Sequence, residues 1–256
     1  MAHAKLSPSG SKIWMACPGM PNLASQVPYS TSYAAASGTF VHSMSEMLFK
    51  DRLENVTLRD YWLGRKELVE EFEIVVDEEM IKCAEVYVDY VNKRKEELNA
   101  KMLIEERVSM EEISEHIWGT ADAILIGEKE LEIIDLKSGK FPVNVEDNTQ
   151  LLIYSLGALS RYGNEDTVVT MTIVQPRSWH KDGAIRSYSM SAANLVDWGY
   201  ETLKPAADAC DEENPQYNPS KETCRFCNAK GICDTYKQYV GEKNDWINTC
   251  NTCRSR

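Results

Sequence analysis

The order of apolar and polar positions divides the chain into a mainly helical first part and a later part in which strands alternate with helices. Apolar residues recur with helical spacing over 33–50, 77–99, 147–162 and 191–211, the last of these with a kink or break at Pro205. Strand-like alternation or short apolar runs occupy 102–109, 116–126, 130–137, 167–175 and 184–190. This order predicts an α/β fold in which a mixed central sheet is flanked by helices.

Shorter features extend this pattern at both ends of the chain. Ser7 and Pro8 predict the start of a short helix that runs to about Ala16, with Ser7 as its N-cap. A Pro-, Ser- and Tyr-rich loop follows, and a polar loop spans 214–220. The acidic run from Glu67 to Glu79 is interpreted as the solvated face of a helix.

Composition bounds the class of protein. The chain has 256 residues and 43% hydrophobic residues, which is enough for a substantial core in one large domain or two small ones. It contains no apolar run of membrane-span length and no apolar signal-peptide core near its first residue, so we expect a cytoplasmic protein with no membrane partner. The net charge of −12 argues against broad, nonspecific nucleic-acid binding but leaves room for a local basic track.

The stretch from Gly119 to Lys137 carries the most chemistry. Asp135 and Lys137 are two apart near the end of a predicted strand, so their side chains share a face. A hairpin through Gly127 would bring Asp122 beside them. Two carboxylates and an ammonium at one sheet end form a site for Mg²⁺ or Mn²⁺, which can clamp a phosphodiester and activate water.

The alternative for this motif is an exposed ion pair that contributes little to stability. However, Ile133, Ile134 and Leu136 surround the charges, and a second apolar run, Ala-Ile-Leu-Ile, spans 123–126. Charged residues within such strands need a specific reason for their burial, which favours a metal site.

Two further motifs are weak individually. Gly38-Thr39-Phe-Val-His42 places an imidazole on a helix, where a packed or surface histidine is the common case. Gln150 and Tyr154 are four apart and share a helix face, which by itself indicates only a polar helix edge.

Taken in order, these motifs resemble those of the RecB-type branch of the PD-(D/E)xK nuclease superfamily. The set is Gly-Thr-x-x-His, Gly-Thr-Ala-Asp, Asp-Leu-Lys-Ser-Gly and Gln-x-x-x-Tyr, running from His42 to Tyr154. Ala121 stands where the superfamily name has proline. The resemblance implies a restriction-endonuclease-like core and a metal-dependent DNA exonuclease, acting on ends or single strands in phage or bacterial recombination, repair or processing.

The resemblance also implies a role for each motif residue. The metal ligands would be His42, Asp122, Asp135 and the carbonyl of Leu136. Lys137 would be the catalytic residue that activates water. Gln150 and Tyr154, also catalytic, would orient the lysine and contact the DNA. Glu105 or Glu106, on the preceding strand, would act as an outer carboxylate.

The eight cysteines suggest a second metal site, because disulfides are uncommon in the cytoplasm. Cys17 and the cluster Cys224, Cys227 and Cys233 resemble the iron–sulfur ligands of the AddB nuclease domain and the CRISPR-adaptation exonucleases. The resemblance implies a structural [4Fe–4S] cluster that ties residue 17 to the end of the chain. The alternative is a zinc ribbon built from Cys224, Cys227, Cys250 and Cys253. Cys83 and Cys210 are expected to be ordinary buried residues.

These inferences predict one nuclease domain over 1–256. Within it we expect an N-terminal helical part (1–100), the nuclease core (101–190), a C-terminal helix with a cluster-binding segment that closes on Cys17 (191–240), and a flexible tail (241–256). The expected partner is DNA, together with a recombination or single-strand-binding protein. The alternative functions are a non-catalytic DNA-binding module that holds iron–sulfur or zinc, and a redox protein that uses the cluster.

Overall fold

The structure, a computed structural model, describes residues 4–28, 30–50 and 56–241. Its helices are α1 Ser11–Trp14, α2 Met20–Ala24, α3 Tyr33–Phe49, α4 Leu58–Trp62, α5 Glu78–Glu97, α6 Thr149–Tyr162, α7 Ala192–Trp198, α8 Lys204–Cys210 and α9 Lys221–Arg225. Its strands are β1 Lys66–Val69, β2 Phe72–Val75, β3 Lys101–Ser109, β4 Trp118–Ile126, β5 Glu130–Leu136, β6 Val168–Val174 and β7 Ile185–Ser191.

The centre of the molecule is a five-stranded mixed sheet in the order β3-β4-β5-β6-β7. All neighbouring pairs are antiparallel except β5 and β6, which are parallel and joined by the crossover helix α6. The predicted α/β class, with a mixed sheet flanked by helices, is therefore confirmed. Among the helices of the described ranges, none has the length and apolar character needed to cross a membrane.

Each face of the sheet is covered by its own hydrophobic core. One core contains α6, the N-terminal segment around Trp14 and the helices near Leu203. The other contains α3 and α5, which pack on the opposite face around Met44 and Tyr87. A continuous apolar run such as Ile133-Ile134 contributes one residue to each core, because successive side chains of a strand point to opposite faces.

Three local expectations differ from the structure. The acidic run after residue 66 is not a helix face but the hairpin of β1 and β2, whose turn includes Glu70 with φ of 55°. In β2, buried Ile74 lies between exposed Glu73 and Val75, which is the two-residue alternation of a strand. The many charged residues around it made this alternation hard to recognise in the sequence. The loop expected after Cys17 contains the short helix α2, and the first helix is a 3-10 turn followed by α1.

Two helix boundaries follow from residue chemistry that the sequence shows. The Ser7 side chain accepts a hydrogen bond from the Gly10 N–H, as expected of an N-cap. The predicted kink near Pro205 is a π-helical segment, Gly199–Leu203, between α7 and α8. Proline lacks an N–H group, so the helix changes its hydrogen-bond spacing just before this residue.

A buried carboxylate joins α5 to the sheet. Glu132 on β5 is 0% exposed. It accepts hydrogen bonds from Arg94 Nε at 2.8 Å, Tyr90 Oη at 3.0 Å and Thr172 Oγ1 at 2.7 Å. These partners lie on α5 and β6, so the Glu132 carboxylate joins the helix to two strands of the sheet. Such a network is stabilising only while every member keeps its partner.

We predict that Arg94→Ala lowers the free energy of unfolding by about 3 kcal/mol, because it leaves the buried Glu132 charge without its cation. The measurement is equilibrium unfolding in urea. Lys93→Ala is the matched control: Lys93 precedes Arg94 and its side chain is 73% exposed. Equal stability of the two variants would show that the network contributes nothing.

Candidate metal and phosphodiester site

Two aspartates meet where β4 and β5 pair. The register places Ala123 opposite Ile134, so Asp122 and Asp135 occupy neighbouring positions on adjacent strands. Asp122 Oδ2 accepts a hydrogen bond of 2.7 Å from the backbone N–H of Leu136, which fixes its side chain toward the end of β5. The hairpin through Gly127 therefore brings together the two carboxylates that the sequence singled out.

The ladder between β3 and β4 is interrupted at this position. Ile104 pairs with Ala123 and Glu106 with Ala121, and between them Glu105 adopts φ of 52°. This left-handed backbone is unusual for a residue with a side chain and occurs often at functional sites. Glu105 Oε1 lies 3.9 Å from His42 Nδ1.

The same irregularity gives Glu105 and Glu106 different surroundings, although from the sequence either could have been the outer carboxylate. Glu106 bonds to Arg161 and Tyr162 on α6, on the other side of the sheet. Glu105 is therefore the glutamate at the site. No signal in the sequence predicted the backbone conformation that decides between them.

His42 completes a compact group of possible ligands. Its Nδ1 lies 3.5 Å from Asp122 Oδ1, and the ligand atoms of His42, Glu105 and Asp122 all lie within 4.8 Å of one another. The glycine of the same motif explains how α3 comes so close: a Cβ on Gly38 would lie 3.2 Å from Ser138 Oγ, in the segment that follows β5. These three residues could hold a metal ion.

Lys137, Asp135 and Gln150 form a second group beside the first. Lys137 Nζ donates to Asp135 Oδ1 at 3.1 Å and to Gln150 Oε1 at 2.8 Å, and Gln150 Nε2 donates to the same Asp135 oxygen at 3.1 Å. Asp135 is 3% exposed. The predicted lysine, aspartate and glutamine therefore lie in mutual contact, with α6 holding the lysine through Gln150.

Tyr154 lies one turn along α6 from Gln150 and is buried. A Cβ on Gly119 would lie 3.1 Å from the Tyr154 ring and 3.0 Å from Pro8, so this glycine allows the ring and the N-terminal segment to approach β4. The burial leaves little of the ring free for contact with a DNA strand. Its position suits a residue that supports Gln150.

Tyr87 is a neighbour of this site that the sequence did not indicate. Its hydroxyl group is buried on α5 without a hydrogen-bond partner among the described residues. Burial raises the Tyr87 pKa, and the charges of Asp122, Glu105 and Asp135 raise it further. Its helical spacing matches that of ordinary core residues, so nothing in the pattern distinguished it.

Four of the cysteines form a separate cluster. Cys17, Cys224, Cys227 and Cys233 line one cavity with Tyr217 and Tyr236. The backbone N–H of Asn218 donates to Cys17 Sγ at 3.3 Å and that of Tyr236 to Cys233 Sγ at 3.4 Å. Burial raises the pKa of the Cys17 and Cys227 thiols, and the neighbouring cysteines raise it further.

The other cysteines lie apart from this cavity or outside the described residues. Cys83 and Cys210 are buried and free, which agrees with their expected role in packing. Cys250 and Cys253 lie outside the described residues, so the zinc-ribbon alternative stays open.

Comparison with known proteins identifies the family. A model of a family of proteins of unknown function, DUF2800, matches residues 3–246. The chain belongs to the DUF2800 family. It is also similar to the crystal structure of a protein called SSO0001, with 14% sequence identity over 88% of this chain and 96% of that chain, at a TM-score of 0.32.

The carboxylates of this DUF2800 member repel one another, and those of Asp122 and Asp135 are largely shielded from solvent. Partial burial raises the pKa of Glu105 to about 7, and the charge of Asp122 adds to the effect. Burial likewise raises the pKa of Asp122 to about 6, although His42 partly counters it. Burial alone would lower the pKa of Lys137, but the charges of Asp135 and Asp122 outweigh it and raise that pKa above its ordinary value.

The donor set fits a hard divalent cation. It offers carboxylates from three strands and one imidazole, and oxygen donors are what Mg²⁺ and Mn²⁺ prefer. Asp135 Oδ2 is buried without a hydrogen bond within the described part of the chain, although Lys137 Nζ lies 2.9 Å away. A buried carboxylate oxygen with free acceptor capacity is expected where a cation binds.

We predict an unusual dependence of stability on pH for the protein in EDTA. Glu105 and Asp122 hold protons more tightly in the folded state, so their protonation stabilises that state below their ordinary pKa values. This stabilisation is lost as pH rises to about 7. Asp122→Asn removes part of this loss and should stabilise the protein by about 2 kcal/mol at about pH 8. Urea unfolding over a pH series measures both effects.

Added Mn²⁺ provides the control for this prediction. It should stabilise the wild type at about pH 8 and the Asp122→Asn variant much less, because binding to the folded state shifts the unfolding equilibrium. Identical pH profiles for the two proteins in EDTA would show that Asp122 is not held in a repulsive site.

Proposed function

We propose that this DUF2800 protein is a metal-dependent DNA exonuclease of the RecB-type PD-(D/E)xK class that hydrolyses phosphodiester bonds. The observation that carries the proposal is the meeting of Asp122, Asp135 and Lys137 at one end of β5, with His42 and Glu105 completing a possible metal site. Carboxylates with an adjacent ammonium suit an anionic substrate that a divalent cation must bridge.

The proposal gives each residue of the site a role. His42, Asp122, Asp135 and the Leu136 carbonyl would hold Mg²⁺ or Mn²⁺, with Glu105 as a further carboxylate. When bound, the cation supplies charge stabilisation to the phosphate and acidifies water. The apolar strands around Asp122 and Asp135 limit the access of water to these two carboxylates, which strengthens their charge interactions.

Lys137 lies beside the carboxylates, and its hydrogen bond to Gln150 orients its ammonium group. Because their negative charges raise its pKa, it enters the reaction as an ammonium group. In that form it orients water and stabilises the negative charge that develops on the phosphate. Gln150 bonds to both Lys137 and Asp135, so it fixes the distance between the cation-binding carboxylate and the ammonium. Tyr154 supports that arrangement from the next turn of α6.

We predict that Asp135→Asn and Lys137→Ala each reduce cleavage by about 100-fold or more while the fold is retained, since each removes a charge that acts in the transition state. The assay is release of nucleotides from end-labelled linear DNA in Mn²⁺, with circular DNA as the test for ends. Lys66→Ala, an exposed lysine on β1, is the matched control.

The metal requirement gives the deciding comparison. Activity should disappear in EDTA and return with Mg²⁺ or Mn²⁺, and Ca²⁺ should support binding with little turnover. Full activity of Lys137→Ala, or cleavage that persists in excess chelator, would falsify the assignment. A folded wild type that binds DNA and never cleaves it would favour the non-catalytic module.

We further propose that Cys17, Cys224, Cys227 and Cys233 bind a structural [4Fe–4S] cluster. Their convergence on one cavity and the two backbone N–H donors to sulfur fit thiolate ligands, since hydrogen bonds to cysteine sulfur are a recurring feature of iron–sulfur sites. The cluster would tie the N-terminal segment to the segment after α8. Zinc is the alternative occupant.

We predict that anaerobically purified protein is brown and contains about four iron atoms per chain. Cys17→Ser should bleach it and destabilise it by about 4 kcal/mol, by analogy with a disulfide that closes a long loop. Cys250→Ser with Cys253→Ser should leave colour and stability unchanged. Colourless protein with one zinc, lost in that double variant and retained in Cys17→Ser, would establish the zinc ribbon instead.

A further inference from the structure

Two exposed phenyl rings share one guanidinium group on the surface. Phe141 is 72% exposed and Phe226 is 71% exposed, although both are large apolar residues. Arg225 Cζ lies 5.4 Å from the Phe141 ring centroid and 5.0 Å from the Phe226 ring centroid. Phe141 follows β5, whereas Phe226 lies between Cys224 and Cys227, so the contact joins two segments that are distant in sequence.

The backbone that carries Phe141 is held from beneath by a buried amide. Gln175 is 0% exposed, and its Nε2 donates to the carbonyl oxygens of Gly139 at 2.9 Å and Phe141 at 2.7 Å. Its Oε1 accepts from the Val143 N–H at 3.0 Å, and Arg186 donates to the Val143 carbonyl at 2.9 Å. The ring is therefore presented to solvent by a fixed loop.

Arg225 also lines a pocket with two other cationic side chains, in a chain that carries −12 overall. Lys221, Arg225 and Lys230 line a surface pocket of about 510 Å³ together with Tyr236. In the ranges that the structure describes, none of these three cations forms an ion pair with a carboxylate. Cations left without carboxylate partners, next to exposed rings, match the pattern by which proteins hold single-stranded nucleic acid.

Phe141 lies close to the candidate site along the chain. Phe141 is four residues beyond Lys137, and Ser138 between them packs near Gly38 of the His42 motif. A strand that stacked on Phe141 would therefore contact the segment that follows Lys137. Bases of a duplex are stacked on one another and offer no free faces, so the rings suit a single strand or a frayed end.

We propose that Phe141, Arg225 and Phe226 form a platform on which the bases of single-stranded DNA stack, while Lys221 and Lys230 bind the adjacent phosphates. The proposal rests on the proposed nuclease function and specifies its substrate as a single strand that passes over this platform. Each ring contributes through its face, so the binding is tolerant of base sequence.

The test measures binding of the full chain in EDTA, where no cleavage occurs. The probe is a fluorescein-labelled oligothymidine of about 20 nucleotides, followed by anisotropy, with a blunt duplex of equal length for comparison. Phe141→Ala and Phe226→Ala should each weaken single-strand binding by about 5-fold or more and leave duplex binding unchanged. Arg225→Lys keeps the charge, loses the planar contact and should weaken it as well.

Controls separate stacking from general damage. Phe141→Tyr and Phe226→Tyr keep an aromatic face and should bind within about twofold of the wild type. Tyr200→Ala removes an aromatic ring that is 52% exposed, on the helical segment before α8, and should have no effect. Quenching of 2-aminopurine in the single strand, lost in the alanine variants and kept in the tyrosine variants, reports stacking directly.

The outcomes keep the two proposals distinct. Unchanged single-strand affinity in both alanine variants overturns the platform, even if the wild type cleaves DNA. Equal losses on single strand and duplex overturn it too, because they indicate a charge patch without stacking. Phe141 lies far in sequence from the cysteines, whereas Phe226 lies between two of them. If single-strand affinity falls in Phe226→Ala but not in Phe141→Ala, the loss reflects damage to the cysteine site, and this outcome also overturns the platform. Ring-dependent binding by a protein that never cleaves supports the platform and refutes the nuclease.

Discussion

The carboxylates at the end of β5 repel one another, and the fold has to place positive charge beside them. Glu105, Asp122 and Asp135 come from three adjacent strands, and in the described residues the cationic or potentially cationic groups that touch them are His42 and Lys137. One of these groups comes from α3, while the other lies just beyond β5 and is held by α6. Both faces of the sheet therefore contribute to a charge balance that neither could provide alone, and a divalent cation would complete it.

A second constraint joins the two ends of the described chain. The Gly19 N–H donates to the carbonyl of Gln216 at 2.9 Å, and the Tyr217 ring occupies the space that a side chain at Gly19 would need. Asn218 reaches both Ala16 and Cys17 through its side chain and backbone. The cysteine cavity is thus assembled by ordinary packing and hydrogen bonds, which prepare the position of Cys17 relative to the later cysteines.

Much of the fold and site could be predicted because the relevant signals are local. Strand period, the Gly127 hairpin and the two-residue spacing of Asp135 and Lys137 follow from backbone geometry. The choice of Glu105 over Glu106 depends on one left-handed residue, and the unpaired hydroxyl of Tyr87 depends on tertiary packing. The hairpin at 66–75 was hidden because its many charges mask a weak alternation. The backbone of Glu105 and the surroundings of Tyr87 are set only once distant segments meet, whereas the hairpin at 66–75 is local.

The tie between the N-terminal segment and the segment around Asp211 also has a consequence for how the chain folds. Lys5 pairs with Asp211 at 2.7 Å, a separation of 206 residues along the chain. Leu6 and Trp14 can pack against β4 and α6 once those elements have emerged. At ordinary rates of ribosomal synthesis, Lys5 and Cys17 wait about 10–40 s for their partners in the segment after α8. These non-local contacts are therefore among the last that the chain can form.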